Sequence, residues 1–355
     1  MRKLIIQIPC YNEAATLPAT LADIPRRVDG VDQVEILVID DGSTDGTTEA
    51  ARLAGADHIV RNKKNIGLAQ SFQVGLDAAI ARGASIIVNT DGDNQYAGAD
   101  IPKLIAPIVA GDADIVVGDR QTGSIAHFSP LKKTLQAWGS AVVGRLSGVD
   151  TPDAVSGFRA FSRDAAMSLT VRSTFSYTTE TLIQAGKKRL VVKTVPVRTN
   201  GETRPSRLFR SIPQFLMNSA RTMLRAYAMY EPLKIFLVLG LALMVIGAAP
   251  MVRFLFHYLA GDGQGMVQSL IIGAAFVLLG GMAIMFAMVA DLVAYNRHLL
   301  ELTLERVRRI EASAMLSCDD LGGQPSRRSI AESAIRREIE DLPHVRKAGG
   351  AGSTV

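Results

Sequence analysis

The stretch Asn89-Thr90-Asp91-Gly92-Asp93-Asn94-Gln95-Tyr96 follows the apolar run Ile86-Ile87-Val88, which places it at the C-terminal edge of an expected parallel strand. Ligands of open α/β sheets bind at that edge. Asp91 and Asp93, with one glycine between them to free the backbone, can converge on a hard divalent cation that also takes phosphate oxygens. A polar turn closing a strand would also explain Asp-Gly, since both are common turn residues. The surrounding chain decides between these explanations.

Working outward, Leu4-Ile5-Ile6-Gln7-Ile8 and Glu35-Ile36-Leu37-Val38-Ile39 are mostly apolar and read as short buried strands, with further strands expected at 58–60, 114–117 and 190–197. Helical stretches are expected at 18–27, 69–82, 131–146 and 179–186, and residues 153–161 read as a turn followed by a short strand. Strands alternating with helices at this spacing imply an α/β, doubly wound, mostly parallel sheet. Pro9-Cys10-Tyr11-Asn12-Glu13, Asp40 to Thr47, Asp91 to Gln95 and Gly118-Asp119-Arg120 then share one edge.

The chain has 355 residues, 48% of them hydrophobic, enough for a large core and more. Its apolar residues concentrate in 233–256 and 267–293, each run exceeding the roughly 20 residues a helix needs to span a bilayer. A buried helical hairpin is the lesser alternative, because such helices are usually shorter. Residues 4–8 are too short for the apolar region of a signal peptide, so the N-terminal part is expected in the cytoplasm. Arg207, Arg210, Arg221 and Arg225 precede the first run and Lys234 stands at its start, and Arg297, Arg306, Arg308 and Arg309 follow the second. The connecting loop, 258–265, has no Lys or Arg, so the positive-inside rule leaves both termini in the cytoplasm of an integral inner-membrane protein.

The polar positions Arg207, Arg210, Gln214, Asn218, Arg221 and Arg225 recur every three or four residues and form a basic amphipathic pattern suited to the membrane interface. The net charge of +5 suits an anionic membrane surface and needs no nucleic-acid partner. Cys10 and Cys318 are far apart in segments expected to be cytoplasmic, which argues against a structural disulfide. Gly273, Gly280 and Gly281 permit close helix packing and are compatible with a homo-oligomer. The expected division is a catalytic domain at 1–203, amphipathic helices at 204–232, spans at 233–257 and 267–294, and a charged helix with a largely disordered tail at 295–355.

The loop Asp40-Asp41-Gly42-Ser43-Thr44-Asp45-Gly46-Thr47 reads as a turn and helix cap, which accounts for its Ser, Thr and Gly but not for three crowded acids. A nucleotide-sugar site would relieve that crowding. Neither a dinucleotide Gly-x-Gly-x-x-Gly after the first strand nor a Walker A pattern is present. With Pro9 to Glu13, Asp40 to Thr47, Asn65-Ile66-Gly67-Leu68-Ala69, Asp91 to Gln95 and Ser156-Gly157-Phe158-Arg159 in this order, the chain resembles family 2 glycosyltransferases of the GT-A fold. Over residues 3–295 it looks most like the polyprenyl-phosphate and dolichyl-phosphate hexose synthases.

The resemblance implies that Pro9, Tyr11, Glu13, Asp40 and Asp41 hold the nucleotide. It implies that Asp91 and Asp93, with Gln95 beside them, bind Mg²⁺ or Mn²⁺ and the donor diphosphate. Gly118-Asp119-Arg120 corresponds to the family's Gly-Ser-Arg, whose arginine meets the lipid phosphate. Arg159 is a second candidate for that phosphate, and Arg204 and Arg207 lie in the place of a loop that closes over the donor. Where the family commonly has His-Pro after Gln, this chain has Tyr96-Ala97.

The only tryptophan, Trp138, lacks the Gln-x-x-Arg-Trp setting of processive members, which argues against polymer synthesis. The implied reaction moves a sugar from a UDP- or GDP-sugar to polyprenyl phosphate with inversion, yielding a lipid-linked sugar for a downstream flippase or glycosyltransferase. The alternatives are a glycolipid hydroxyl acceptor, with Asp93 as base, and a non-catalytic nucleotide-sugar-binding scaffold.

Overall fold

The computed structural model describes residues 1–121, 139–145, 147–171, 177–200, 217, 232–261 and 267–319. They fall in two compact units, Met1–Thr222 with Leu304–Val355, and Met223–Thr303.

In the first unit, strands β1 (Lys3–Cys10), β2 (Gln33–Asp40), β3 (His58–Arg61), β4 (Ile86–Asn89), β5 (Ile115–Asp119), β6 (Arg159–Ser162) and β7 (Val192–Pro196) form one sheet in the order β3-β2-β1-β4-β6-β5-β7. All pairings are parallel except those of β6, which runs antiparallel between β4 and β5. The register sets Cys10 opposite Asp40 and Gln7 opposite Asn89, so the chain leaves β1, β2 and β4 on the same edge.

The strands are mostly apolar on both faces because both faces are covered, as buried parallel strands require. On one face Leu4, Ile6, Ile8, Ile36 and Val38 pack with α1 (Leu17–Asp23), α2 (Thr47–Leu53) and α4 (Ile101–Val109). On the other, Ile5, Leu37 and Ile39 pack with α3 (Leu68–Ala81), α5 (Arg163–Ser168) and α6 (Tyr177–Lys187). Each such fully buried side chain contributes about 1.5–3 kcal/mol.

Helix α1 stops four residues short of the sequence expectation, because Ile24, in the extended region, precedes Pro25. Helix α4 was not expected from sequence. Pro102 occupies its first turn, where a missing N–H costs nothing, while Pro107 lies inside the helix.

The second unit is a hairpin of α7 (Pro232–Leu259) and the first part of α8 (Val267–Asp319). Both are long and apolar enough to cross a membrane, with mean hydropathies of 2.6 and 2.5 over their most apolar windows. The two helices meet at paired glycines. A Cβ on Gly240 would lie 2.8 Å from the Gly280 carbonyl oxygen, and one on Gly247 would lie 2.6 Å from that of Gly273. Gly273 and Gly280 therefore serve packing within the chain, whereas a Cβ on Gly281 would meet nothing within 4 Å.

From Leu304 onward α8 belongs to the first unit. There Arg308 donates to the Leu169 carbonyl at 2.8 Å, just past the C-terminus of α5, and pairs with Asp77 of α3 at 3.4 Å.

Candidate functional site

The loops after β1 and β2 are laced into one rim. Asn12 N–H donates to Ser43 Oγ, Glu13 N–H to Thr47 Oγ1 and Thr44 N–H to Asn12 Oδ1, each at 2.9 Å. Asn12 adopts φ 54°, a left-handed conformation that asparagine tolerates better than most residues. Pro9 and Glu13 are buried there and Tyr11 is exposed.

The crowded acids of the second loop each have their own donors. Asp40 accepts from Ser43 N–H at 2.8 Å and from the Thr48 hydroxyl, with Arg61 3.6 Å away. Asp41 accepts from Asn62 Nδ2 and from the Ile66 and Gly67 amides, all at 2.9 Å. Asp45 accepts from Thr47 and from Ala14 N–H. Burial works against its charge, but these hydrogen bonds prevail and lower its pKa. Each acid of this loop thus has donors within the protein, so the crowding does not by itself call for a ligand. A cleft of about 340 Å³ beside the loop is lined by Asp40, Ser43, Thr48 and Arg61 among others, and touches none of Asp91, Asp93 and Arg120.

Gly92, between the two carboxylates, is required for a different reason from the one the sequence suggested. Its φ is not positive. Instead a Cβ there would lie 2.8 Å from Cys10 Sγ. The Gly92 carbonyl accepts from the hydroxyls of Thr16 and Thr20 at 2.9 and 3.1 Å, which pins the loop to α1 and the residue before it. Asp93, buried, accepts from the Gln95 amide at 3.2 Å.

Burial, then the charges of Glu13, Asp40, Asp91 and Asp93, push the Cys10 thiol well above its ordinary pKa, so negative potential converges there. Among the described residues no group of three or more His, Cys, Asp and Glu is placed to hold a metal ion. Two hard carboxylates one residue apart nonetheless suit Mg²⁺ or Mn²⁺, since Mg²⁺ commonly takes one or two protein carboxylates and completes its shell with water and substrate phosphate.

Behind Asp91 lies a buried polar chain. Gln7 Nε2 donates to Asn89 Oδ1 at 2.9 Å, and Asn89 Nδ2 donates to the Gly157 carbonyl at 2.9 Å and the Tyr177 hydroxyl at 3.0 Å. A Cβ on Gly157 would lie 2.7 Å from Tyr177 Oη and 3.3 Å from both Asp91 oxygens, so only glycine fits. Tyr96 accepts from Gly157 N–H at 3.0 Å and stacks on Phe158 with ring centroids 5.0 Å apart. It therefore packs inward.

The segment entering 201–207 is tied to this same loop. Asn200 N–H donates to the Gln95 carbonyl at 2.9 Å, Ala97 N–H to Arg198 O at 3.2 Å, and Arg198 forks onto Asp100. Arg204 and Arg207 themselves, and the amphipathic stretch expected at 204–232, lie outside the described residues apart from Met217 and Pro232.

Arg120, just beyond β5, donates through Nε and Nη2 to Asp153 at 2.7 and 2.9 Å. Burial works against its charge, but Tyr96, Asp153 and Asp91 more than restore it and raise its pKa. Arg159 is placed differently from the sequence expectation. Wholly buried, it donates to the carbonyls of Ser156, Thr178 and Ala154 and to Thr181 Oγ1 at 2.7–2.9 Å. A guanidinium enclosed in this way holds a turn and does not meet an acceptor phosphate.

Sequence reasoning missed Asn89, Asp153, Gly157 and Tyr177. Asp153 carried the one usable signal, an acid three residues before Ser156-Gly157-Phe158-Arg159.

A mostly parallel sheet with paired carboxylates and a charged arginine on its carboxyl edge defines a glycosyltransferase of the GT-A fold. The profile described as Glycosyl transferase family 2 matches residues 5–170. The glycosyltransferase AglJ of Haloferax volcanii is 29% identical over 86% of this chain and 96% of its own length. The undecaprenyl-phosphate mannosyltransferase of Micrococcus luteus is 30% identical over 48% of this chain and 70% of its own. Glucosyl-3-phosphoglycerate synthase of Mycobacterium tuberculosis, solved with phosphoglyceric acid, shares the fold at a TM-score of 0.50 and 22% identity, covering 64% of this chain and 79% of that one.

The chain belongs to glycosyltransferase family 2. It resembles the polyprenyl-phosphate glycosyltransferases within that family, and its reaction is glycosyl transfer from a nucleotide sugar.

Proposed function

We propose that this enzyme transfers a sugar from a UDP- or GDP-sugar to polyprenyl phosphate with inversion, at the cytoplasmic face of the inner membrane. The observation that carries this is Arg120, a guanidinium held by buried Asp153 and close enough to Asp91 to feel its charge. An anionic acceptor brought beside a carboxylate pair needs such a cation. The name of the Micrococcus luteus relative supports the lipid acceptor. So do the outward-facing apolar side chains of α7 and α8, Leu241, Ile246, Ile271 and Phe286 among them, which a bilayer would cover.

In this scheme residues 1–203 form the catalytic domain, 204–232 lie at the interface, and 233–257 and 267–294 span the membrane with both termini cytoplasmic. Pro9, Tyr11, Glu13, Asp40 and Asp41 lie along the nucleotide, with Arg204 and Arg207 over the donor. Asp91 and Asp93, with Gln95 beside them, hold Mg²⁺ or Mn²⁺, which when bound neutralises charge on the leaving diphosphate.

An oxygen of the acceptor phosphate attacks the anomeric carbon as the bond to the nucleotide diphosphate breaks, and the leaving oxygen keeps the electron pair. A phosphate monoester is largely dianionic at neutral pH, so no protein base has to remove a proton. Arg120 offsets the repulsion between the two anions and orients the attack.

The test is nucleotide release by the detergent-purified protein from a panel of UDP- and GDP-sugars, with and without undecaprenyl phosphate, with EDTA and Asp93→Ala as controls. Release that requires both lipid phosphate and metal, and that is lost in the variant, is the expected result. Equal release without the lipid overturns the acceptor assignment. No release from any donor favours a binding scaffold.

A further inference from the structure

Arg120 and Arg159 both bind one turn, Arg120 through the Asp153 carboxylate and Arg159 through backbone carbonyls. Arg159 clamps that turn from within, through Nε to the Ser156 carbonyl at 2.9 Å and Nη2 to the Ala154 carbonyl at 2.8 Å. The turn is further closed by Ser156 N–H on the Asp153 carbonyl at 3.3 Å, and Ser140 Oγ receives the Ala154 amide at 3.2 Å. Asp153 projects from this clamped turn with its side chain 1% exposed, so its carboxylate has little freedom to move.

The fork from Asp153 takes one edge of the Arg120 guanidinium, Nε and Nη2, and the Arg120 amide approaches the same carboxylate at 3.4 Å. Arg120 Nη1 makes no hydrogen bond to any described residue, and the side chain stays 20% exposed. A guanidinium carries five N–H donors in a rigid plane, so fixing one edge fixes the direction of the other.

A second acid competes for this cation. Asp91 lies near enough to act on Arg120, and a guanidinium that swung onto it would neutralise a candidate metal ligand and turn away from the acceptor.

We propose that Asp153 is the positioning residue of the acceptor site: its buried fork aims the Nη1 edge of Arg120 at the incoming lipid phosphate and withholds that arginine from Asp91. This role rests on the polyprenyl-phosphate acceptor proposed above. Arg159 then acts two steps back, by building the turn from which Asp153 projects.

The test is a double-mutant cycle on binding of farnesyl phosphate, a short polyprenyl phosphate, to the full-length protein in detergent by calorimetry, with farnesol as the phosphate-free control. Asp153→Asn keeps the shape of the side chain and removes its charge. It is expected to weaken farnesyl phosphate binding about 10-fold, corresponding to one step of affinity on the usual scale. Arg120→Ala is expected to weaken it at least as much, and the double variant to bind no worse than Arg120→Ala alone, because the effect of Asp153 on the acceptor passes through Arg120.

Unchanged binding by Asp153→Asn overturns the positioning role while leaving the acceptor assignment standing. So does a further loss when Asp153→Asn is added to Arg120→Ala, above all with a lowered melting temperature, since that marks a structural residue. Wild-type protein that binds farnesyl phosphate no better than farnesol removes the acceptor assignment and this role together.

Discussion

Removing the guanidinium of Arg159 should damage stability far more than substrate recognition. Arg159→Ala takes away four hydrogen bonds from a site with no exposure. Thr181 Oγ1 still reaches the Thr178 carbonyl at 3.1 Å, so the carbonyls orphaned outright are those of Ser156 and Ala154. A buried polar group left unsatisfied costs about 1–3 kcal/mol, which gives about 2–6 kcal/mol for the pair.

Part of that loss is offset. Burial depresses the Arg159 pKa to about 10, so the folded state carries a desolvation burden that alanine relieves. For a domain of this size each kcal/mol shifts the melting temperature by about 2–4 °C, so a fall of about 5–15 °C is expected. Arg159→Lys, with three donors at one point in place of a planar fork, should fall between wild type and alanine.

Far-UV circular dichroism melts in detergent measure this directly. A melting temperature for Arg159→Ala within a degree of wild type would refute the structural role. So would an Arg159→Lys protein that melts normally yet has a raised KM for polyprenyl phosphate, because that pattern belongs to a residue touching the acceptor.

Gly157→Ala should cost about 1–3 kcal/mol and reduce turnover about 10- to 100-fold, since the new methyl meets Tyr177 Oη at 2.7 Å and displaces Asp91. Stacking on Phe72 at 4.2 Å keeps the Tyr177 ring from retreating, and a variant with normal melting and turnover would contradict this. Burial opposes the charge of Asp100, but Arg198 and Lys103 overcome it and lower its pKa from 3.8 to about 2. Its stabilisation is therefore complete above about pH 4 and is lost as pH falls through 2. Urea midpoints of wild type and Asp100→Asn should accordingly converge over that window, and a pH-independent difference would count against it. Cys10, buried and surrounded by acids, should resist iodoacetamide in the native protein and react only after unfolding, as peptide mass spectrometry would show.

The fold was legible where burial on both faces leaves a mostly apolar run, as at Leu4–Ile8 in β1, interrupted by Gln7, and Ile36–Ile39 in β2. It was less so where a strand is short and begins with a charge. Arg159–Ser162 gives no hint in sequence that it runs against its neighbours, since direction is set by the long connection before it. Asp91 and Asp93 were legible because they sit together at a strand end. Arg159 was open to two readings, structural or phosphate-binding, because a buried arginine serving carbonyls looks, in sequence, like one serving phosphate. The Asp153 fork joins residues 33 positions apart, and no local pattern announces such a pair.

The glycines that meet between α7 and α8 are Gly240 with Gly280 and Gly247 with Gly273, so the interval is the same on both helices. That shared interval acts as a two-point key. A slip of one helical turn, about 5.4 Å, would bring side-chain-bearing residues such as Met244 or Val277 against a facing backbone at both points at once. The alignment of the hairpin is thereby written into the helices themselves, so insertions in the connection at 262–266 should leave it unchanged.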